Sequence, residues 1–343
     1  MQLGPHTIAN NVFVAPMAGV TDRPFRALCK KLGAGYAVSE MVTSRPDLIN
    51  SAKTQRKINH SGEFGVISVQ IAGTEPEVMA QAALFNIDKG AQVIDINMGC
   101  PAKKVCNKWA GSALMQDENL ALKIIDSVVN ACQSVSVPVT LKMRTGWSEQ
   151  FKNAKQIALN AQALGVEMIT VHGRTRELGY KGQAEYDTIK QIKSALSIPV
   201  VANGDIDSAE KAKWVLDTTK ADAVMIGRAA QGNPWIFREI THYLQTGRLL
   251  APPLVTEVKS HLLEHLEDHY TLYGSHMGVR TARKHIGWYV KGLKGYQDFK
   301  DRMNQLESTD EQLQAVGHYF DDLCEFWDRL IKSKSEAIEQ IYE

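Results

Sequence analysis

Eight short apolar runs, each separated from the next by a turn or a helical pattern, restrict the fold of this chain more than any other feature of its sequence. The runs are rich in β-branched residues and are bounded by turn residues, as buried parallel strands are. They cover residues 12–15, 36–39, 66–71, 93–97, 139–143, 168–172, 200–203 and 223–227. Helical patterns occupy residues 24–32, 76–89, 119–132, 149–164, 186–196, 208–218 and 235–244. Eight βα units in about 245 residues predict an α/β fold of the TIM (β/α)8 barrel type.

The alternative for such a pattern is an open, doubly wound sheet. Its dinucleotide-binding version is disfavoured because the sequence contains no G-x-G-x-x-G motif. After Gly247 and Ala251-Pro252-Pro253 the strands stop, and helical patterns follow at 256–270, 280–293 and from 309 onward. We therefore predict a barrel domain at 1–245 and a smaller all-helical domain at 246–343, which ends in an acidic tail.

The charge of the chain is nearly balanced overall but uneven along its length. A formal net charge of +1 excludes a global nucleic-acid signature, so any site for a polyanion must be local. One window, 269–297, contains no Asp or Glu. It interleaves basic and aromatic residues: Arg280, Arg283, Lys284, Lys291 and Lys294 with Tyr270, Tyr273, Trp288, Tyr289 and Tyr296. We interpret this window as a candidate cationic, aromatic surface.

Five scattered cysteines and the lack of a secretory apolar segment favour a reduced, cytoplasmic setting, and no stretch is long enough to span a membrane. One of the five, Cys100, stands just after the apolar run 93–97, where Asn97, Gly99 and Pro101 end the strand. The lysines at 103, 104 and 108 add positive charge, which eases ionisation of a thiol. The residues alone leave four roles open: an inert buried cysteine, a nucleophile, a base or an acid.

In a TIM barrel, functional residues cluster at the carboxyl ends of the strands. In this sequence those ends carry Pro16-Met17-Ala18-Gly19, Gln70, Asn97 with Cys100, Lys142 with Arg144, His172 with Arg174, Asn203-Gly204-Asp205, and Gly227-Arg228. Glycines after the seventh and eighth strands, with Arg228, are typical of a phosphate site. Lys142 inside a strand requires an anionic or polar partner, such as a reduced flavin ring. His172 is either part of that site or a core histidine.

His261, His265 and His269 lie four residues apart on one predicted helix. A metal site is conceivable, but the sequence has no His-Glu-x-x-His arrangement. We therefore expect a polar helix face and no metal.

Two longer motifs connect these residues to a known family. IDINMGCPAKKV at 94–105, followed by GSALM at 111–115, resembles the signature of the tRNA-dihydrouridine synthases. APMAGVTDRPFR at 15–26 is similar to their first strand-end motif, and RKHIGWY at 283–289 to their RNA-binding helix. The resemblance covers nearly the whole chain and is strongest to the bacterial B type. Cys106 departs from the family pattern, which usually has a polar residue there, and we treat it as incidental.

The resemblance implies an enzyme that uses FMN and NADPH to reduce the 5,6 double bond of uridines in the tRNA D-loop, with position 17 as the expected target. It implies that Cys100 is the proton donor. The FMN contacts that it implies are Pro16, Met17, Ala18, Gln70, Lys142, Asn203, Gly204, Asp205, Gly227 and Arg228, with His172 near the flavin. With the basic window, it leads us to expect RNA contacts from Asn97, Lys103, Lys104, Arg144, Arg280, Arg283, Lys284, His285, Trp288 and Tyr289.

Two rival functions remain open on the sequence. One is an FMN barrel dehydrogenase that acts on a small pyrimidine such as dihydroorotate, with Cys100 as a base. The other is an RNA-binding protein that has kept the barrel without its chemistry. We expect tRNA as the partner, no membrane, no obligate protein partner and a monomer.

Overall fold

The computed structural model describes residues 1–48, 51–106 and 110–330, without the side chains of Pro46, Lys103 and Lys104. The chain forms two compact units, Met1–Gly227 and Arg228–Glu343. The boundary between them lies earlier than the predicted one at 245/246, because the helix at 236–246 groups with the second unit.

The first unit is built on a parallel sheet. Its strands, in chain order, are β1 (Gln2–Leu3), β2 (His6–Thr7), β3 (Val12–Val14), β4 (Tyr36–Ala37), β5 (Val42–Thr43), β6 (Ser68–Ala72), β7 (Val93–Met98), β8 (Val139–Arg144), β9 (Met168–His172), β10 (Val200–Asn203) and β11 (Ala223–Ile226). Each of the eight predicted runs overlaps one of these strands, and the observed bounds differ by at most two residues at either end. The antiparallel pair β1–β2 and the short strand β5 were not predicted.

The sheet closes on itself. Nine strands are hydrogen-bonded in the order β4-β3-β11-β10-β9-β8-β7-β6-β5, all in parallel. Beyond β4, Val38 forms a parallel bridge with Ser68 of β6, and the Ser39 amide donates to the Ser68 carbonyl at 3.0 Å. The second strand of the barrel is thus divided into two short segments, β4 and β5. The sheet is closed, and the predicted TIM barrel is confirmed.

Helices follow the strands of the barrel. They are α1 (Arg23–Lys31), α2 (Ala52–Lys57), α3 (Pro76–Asp88), α4 (Lys103–Cys106), α5 (Glu118–Gln133), α6 (Ala154–Ala163), α7 (Asp187–Ala195) and α8 (Ala209–Thr219), with 3-10 turns at Pro46–Leu48 and Gly111–Gln116. Side-chain caps fix several helix starts: Asp22 accepts from the Phe25 amide, and Ser208 from the Lys211 amide. Helix α2 was missed because its sequence, AKTQRK, offers no apolar period.

The β1–β2 hairpin determines which end of the barrel remains open. Leu3 and Ile8 are buried and pack in one cluster with residues that begin strands, among them Val93, Met168 and Ala223. These apolar contacts cover the amino-terminal end of the barrel. A polar site is therefore left to the carboxyl-terminal end of the strands, as in other TIM barrels.

The second unit is helical. It contains a 3-10 turn at Arg228–Ala230 and the helices α9 (Ile236–Thr246), α10 (Val255–Tyr273), α11 (Ser275–Val290), α12 (Tyr296–Gln305) and α13 (Thr309–Cys324). Its core includes Leu262, Leu266, Ile286, Val316 and Phe320, all at most 1% exposed. Helix α12 was not predicted. Among the described residues, no helix has the length and apolarity to cross a membrane.

A buried ion cluster fastens the loop at Glu63 to helix α1. Glu63 lies 2.6 Å from the Arg26 guanidinium and 3.1 Å from the Lys30 ammonium, and the three side chains are at most 4% exposed. Burial alone would raise the pKa of Glu63, but hydrogen bonds and charge from Arg26 and Lys30 hold the pKa well below its usual range.

We expect Glu63→Gln to lower the free energy of unfolding by about 3–5 kcal/mol, because it leaves two buried cations without their counter-charge. The pKa of Glu63 is lowered by folding, so its contribution is present above the unfolded pKa of about 4.3 and is lost as the pH falls below it. Urea denaturation measures both effects. Asp217→Asn, which breaks the exposed Lys213–Asp217 pair, is the matched control and should cost less than about 1 kcal/mol. An equal cost for both variants would contradict the prediction.

Candidate active site

A buried polar network joins the neighbouring strands β6, β7 and β8 and reaches Asn97 near the carboxyl end of β7. Asp95 accepts hydrogen bonds from the Thr140 hydroxyl at 2.6 Å and from the Gln70 amide at 2.7 Å. Asn97 in turn donates to Oε1 of Gln70 at 2.6 Å. Burial raises the pKa of Asp95 to about 6, and the two hydrogen bonds oppose this rise. The amides of Gln70 and Asn97 are therefore held in fixed orientations by a carboxylate behind them.

The loop that carries Cys100 is anchored by this network. Oδ1 of Asn97 accepts from the backbone amides of Gly99 and Cys100, at 3.2 and 3.1 Å. From the other side, Nε of Arg144 donates to the Gly99 carbonyl at 2.7 Å. The Ser112 hydroxyl donates to the Cys100 carbonyl at 2.9 Å. The thiol thus stands on a loop whose backbone is fixed at four points.

Gly111 explains why the GSALM segment follows the cysteine motif. Its φ is +63°, and a Cβ there would lie 2.9 Å from the Cys100 carbonyl oxygen. Any other residue would push the Cys100 loop outward. The two halves of the motif are therefore one structural unit.

The Cys100 thiol is partly buried, and this decides its protonation state. Burial, the largest effect, raises the pKa of Cys100. Arg144 and Lys142 act in the opposite direction but do not reverse it. The thiol therefore carries its proton at neutral pH, which favours an acid over a nucleophile or a base. The side chains of Lys103 and Lys104, and all of Lys108, lie outside the described residues.

Lys142 lies beside Asn97 in the register of β7 and β8, and it is buried. Its Nζ donates to Oδ1 of Asn203 at 3.0 Å, and Nδ2 of Asn203 donates to the Met225 carbonyl at 2.8 Å, which fixes the amide orientation. Burial, and then the charge of Arg144, lower the pKa of Lys142 to about 8. A buried ammonium is costly unless an opposite charge compensates it, and the amide oxygen of Asn203 is neutral. Lys142 can therefore accommodate an additional, anionic partner. Lys142 and Asn203 therefore fit the redox-active ring of a reduced flavin.

The ends of β9 and β10 are joined by an ion pair. Arg174 binds Asp205 in a bidentate manner, at 2.9 and 2.6 Å, and also donates to the carbonyls of Lys181 and Gly182. Its Nη1 lies 3.4 Å from Nε2 of His172. Since a guanidinium only donates, His172 accepts at Nε2 in this contact. The Asp205 carboxylate is engaged by Arg174, so its predicted FMN contact would have to come from its backbone.

Two glycines directly follow the neighbouring strands β10 and β11 at the predicted phosphate site. Gly204 has a φ of +123°, and a Cβ there would lie 3.0 Å from Cδ2 of His172. A Cβ on Gly227 would lie 3.8 Å from Sδ of Met17, so the loop after β3 passes beside it. The predicted contacts Pro16, Met17, Ala18, Gly204 and Gly227 therefore belong to the strand-end rim. Arg228 is the first residue of the second unit, and its phosphate contact stays a prediction.

Several site residues were missed from the sequence. Tyr180, on the loop after β9, places its ring 6.5 Å from that of His172 and 5.6 Å from the Arg144 guanidinium. Nothing in its local sequence marks it. Asp95 and Thr140 carry a signal that could have been used: a carboxylate inside an apolar strand needs hydrogen-bond partners on neighbouring strands.

The predicted RNA contacts divide into exposed and buried residues. On α11, Arg280 is exposed, and Lys284 and Trp288 are partly exposed, at positions i, i+4 and i+8 on one face. His285 and Tyr289 are 1% and 0% exposed and face the core, so the proposed RNA surface does not include them and their RNA contacts stay predictions.

Three other predicted RNA contacts are engaged with the protein itself. Arg283 donates to the Leu306 carbonyl at 2.9 Å. Arg144 is 1% exposed and donates to three backbone carbonyls, so it supports the Cys100 loop instead of contacting an RNA backbone as expected. Asn97 likewise orients that loop.

A barrel with a protonated thiol, a buried lysine and a glycine-lined rim at its strand ends defines a barrel oxidoreductase site. The model of the dihydrouridine synthase (Dus) family matches residues 13–324, so the chain belongs to the dihydrouridine synthase family. It is therefore an enzyme of tRNA modification and an oxidoreductase, as the motifs indicated.

Relatives support the family assignment over the full fold. The chain is 58% identical to the tRNA-dihydrouridine synthase B of Xanthomonas axonopodis pv. citri, over 94% of this chain and 96% of the relative. It is 57% identical to that of Shewanella oneidensis (95% and 100%) and 56% identical to that of Pseudomonas aeruginosa (93% and 96%). The resemblance to the bacterial B type is thus confirmed.

Solved structures share the barrel. Morphinone reductase aligns with a TM-score of 0.51 at 16% identity, over 74% of this chain and 90% of that one. The old yellow enzyme homologue from Zymomonas mobilis aligns with a TM-score of 0.51 at 15% identity, over 74% and 93%. At this identity, the likeness concerns the fold alone.

Proposed function

We propose that this chain reduces the 5,6 double bond of uridine in the tRNA D-loop, with FMN as bound cofactor, NADPH as reductant and Cys100 as proton donor. The observation that carries the proposal is the ordered Cys100 loop, whose partly buried thiol stays protonated at the rim that also holds Lys142. Position 17 is the target that the resemblance of the motifs to the bacterial B type implies.

FMN fits the residues at the strand ends. Lys142, Asn203 and Gln70 would hold the polar edge of its ring, and backbone amides at Gly204 and Gly227 would hold its phosphate. His172 would lie near the ring, oriented by Arg174.

The chemistry of uracil explains the need for Cys100. The hydride for carbon 6 of the base would come from reduced FMN bound at this site. Carbon 5 must then receive a proton, because the double bond is conjugated to a carbonyl and the intermediate is an enolate. The Cys100 thiol would donate that proton and would itself be reprotonated by solvent. Its raised pKa keeps the proton available at neutral pH.

The same protonation argues against the small-pyrimidine alternative. In that reaction Cys100 would remove a proton and would have to rest as a thiolate. Burial raises its pKa and disfavours that state. The family assignment points in the same direction.

The direct test incubates purified protein with unmodified tRNA, FMN and NADPH and maps dihydrouridine by nucleotide position. We expect dihydrouridine at position 17 and none without NADPH. Absence of dihydrouridine from the D-loop of every tRNA tested would refute the proposal. The same mapping in a deletion strain, with and without the gene restored, tests it in the cell. Cytoplasmic location and a monomeric state remain predictions.

The tRNA surface that we propose is the face of α11 formed by Arg280, Lys284 and Trp288. The double variant Arg280→Glu/Lys284→Glu should weaken tRNA binding by about tenfold or more and flatten its dependence on salt, because two phosphate contacts are replaced by repulsion. NADPH oxidation should not change. Binding isotherms at several salt concentrations measure the effect.

Lys300→Glu is the matched control for this variant. Lys300 is also exposed, but it lies on α12, outside the proposed face. We expect only a small loss of affinity from the change in net charge. If Lys300→Glu weakened tRNA binding as much as the double variant, the α11 face would not be the binding surface.

A further inference from the structure

Three histidines of the second unit converge in its interior. His265 and His269 lie one turn apart on α10, and His285 lies on α11. The ring of His285 is centred 4.9 Å from that of His265 and 5.4 Å from that of His269. All three side chains are at most 2% exposed, so the polar helix face expected from the sequence is in fact a buried cluster.

We propose that His265, His269 and His285 form a binding site for a transition-metal ion, with Zn²⁺ the best match. One ring nitrogen from each residue lies within 4.8 Å of the other two. Tetrahedral Zn²⁺ with Zn–N bonds of about 2.0–2.1 Å separates its ligand nitrogens by about 3.3–3.4 Å. Small rotations of three side chains therefore suffice to close the site.

The hydrogen bond of His269 orients a nitrogen for the metal. Nε2 of His269 lies 2.7 Å from Oγ1 of Thr281. The Thr281 hydroxyl has one proton, which it donates to the Met277 carbonyl at 2.8 Å, with a longer contact to Gly278. When the Thr281 hydroxyl donates to the Met277 carbonyl, Nε2 of His269 is the donor, and the lone pair of that tautomer lies on Nδ1. A histidine whose second nitrogen donates to an oxygen is the arrangement that metal-bound histidines adopt.

The environment of the cluster suits imidazole ligands. Aromatic rings surround it. Between ring centroids, Tyr273 lies 4.4 Å from His269, Trp288 lies 5.1 Å from His285, and Tyr289 lies 6.5 Å from His265. Such surroundings limit access of water to the cluster. Three imidazole ligands leave a fourth position, where a hydroxide would reduce the net charge of the buried ion. Imidazole ligands without thiolates favour Zn²⁺, copper or nickel over Mg²⁺ or Ca²⁺.

The site would link α10 to α11, the helix that carries Arg280, Lys284 and Trp288. A bound ion would therefore stabilise the helix that presents the proposed tRNA surface. The metal site itself does not rest on the proposed function, and its test does not use tRNA.

The test uses the full chain, purified without a metal-affinity tag. Metal content is measured as isolated, and the chelator-treated protein is then titrated with Co²⁺ and Zn²⁺. We expect one ion per chain, visible Co²⁺ bands of a tetrahedral nitrogen site, and displacement of Co²⁺ by Zn²⁺. His285→Gln should abolish binding. His261→Gln, on the same helix but outside the cluster, is the matched control and should retain it.

A second pair of variants leaves all three histidines in place. Thr281→Val removes the acceptor of the His269 hydrogen bond and should weaken metal binding by about 10- to 100-fold, whereas Thr281→Ser should restore it. This pair decides the question if His285→Gln fails to fold. The proposal is overturned if the folded wild type takes up neither ion at micromolar free metal. It is also overturned if His261→Gln loses binding, or if Thr281→Val and Thr281→Ser bind alike.

Discussion

Replacement of Cys100 by alanine should lower the rate of uridine reduction by about 10² to 10⁴-fold, the usual contribution of a general acid. The flavin content of the protein and its reduction by NADPH should not change. The reason is geometric. Cys100 lies on the loop that Asn97 and Arg144 hold in place, whereas the proposed flavin contact is made by Lys142 and Asn203. The substitution therefore removes the proton donor alone.

The two half-reactions separate this role from a structural one. Anaerobic reduction by NADPH is followed first, and single-turnover reoxidation by tRNA second. Only the second should slow in Cys100→Ala. Cys106→Ala is the matched control. Cys106 is a second thiol in the same segment, but its Sγ lies 3.5 Å from the Cys100 carbonyl oxygen and is engaged with the backbone. Unchanged turnover in Cys100→Ala, or an equal loss in Cys106→Ala, would contradict the assignment.

The protonation state of Cys100 can be measured directly. Because burial raises its pKa, the thiolate fraction should be small at pH 7 and should grow only above the ordinary cysteine range near 8.5. Alkylation of Cys100 by iodoacetamide, followed by mass spectrometry, should therefore accelerate with pH without levelling off near neutrality. A plateau below pH 7 would show a resting thiolate and would favour a nucleophile.

The sequence was sufficient to predict the barrel because the strands of a TIM barrel are local, apolar and regularly spaced. It was also sufficient to list the strand-end residues, since the end of a strand is marked by turn residues such as Gly99 and Gly204. It could not show which of them contact each other. The link from Asp95 through Gln70 and Asn97 depends on strand register, which is a property of the closed sheet.

The second unit shows a different limit. A basic and aromatic window predicted an RNA surface on α11, but a helix presents successive residues 100° apart, and packing decides which of them face inward. Gly278 and Ala282 lie on the side of α11 that packs into the core, and His285 and Tyr289 lie on the same side. Arg280, Lys284 and Trp288 face outward. The period of small and apolar residues could have separated the two faces before the structure was known.

Lys142→Met should have the second large effect. The variant removes the buried ammonium that Asn203 orients, so a reduced, anionic ring at this site loses its nearest described cation. We expect the rate of uridine reduction to fall by about 10²- to 10³-fold, as when one preorganised electrostatic contact is removed. The midpoint potential of the bound flavin should also fall, by about 30 mV for each 1.4 kcal/mol of lost stabilisation.

The pH dependence of that potential provides the sharpest check. Burial lowers the pKa of Lys142 to about 8. Its charge is therefore present below that pH and is lost as the pH rises through it, and a bound anion would move this loss to higher pH. The difference in potential between wild type and Lys142→Met should be largest at neutral pH and should shrink in alkaline solution.

Spectroelectrochemical titration across this range measures the potential independently of tRNA. The matched control is Lys193→Met, since Lys193 pairs with Asp222 at 2.7 Å and is partly exposed. Its flavin potential should equal that of the wild type at every pH. If Lys142→Met and wild type had the same potential at pH 7, Lys142 would not contact the ring. The buried ammonium would then have only a structural role, in its contact with Asn203 between β8 and β10.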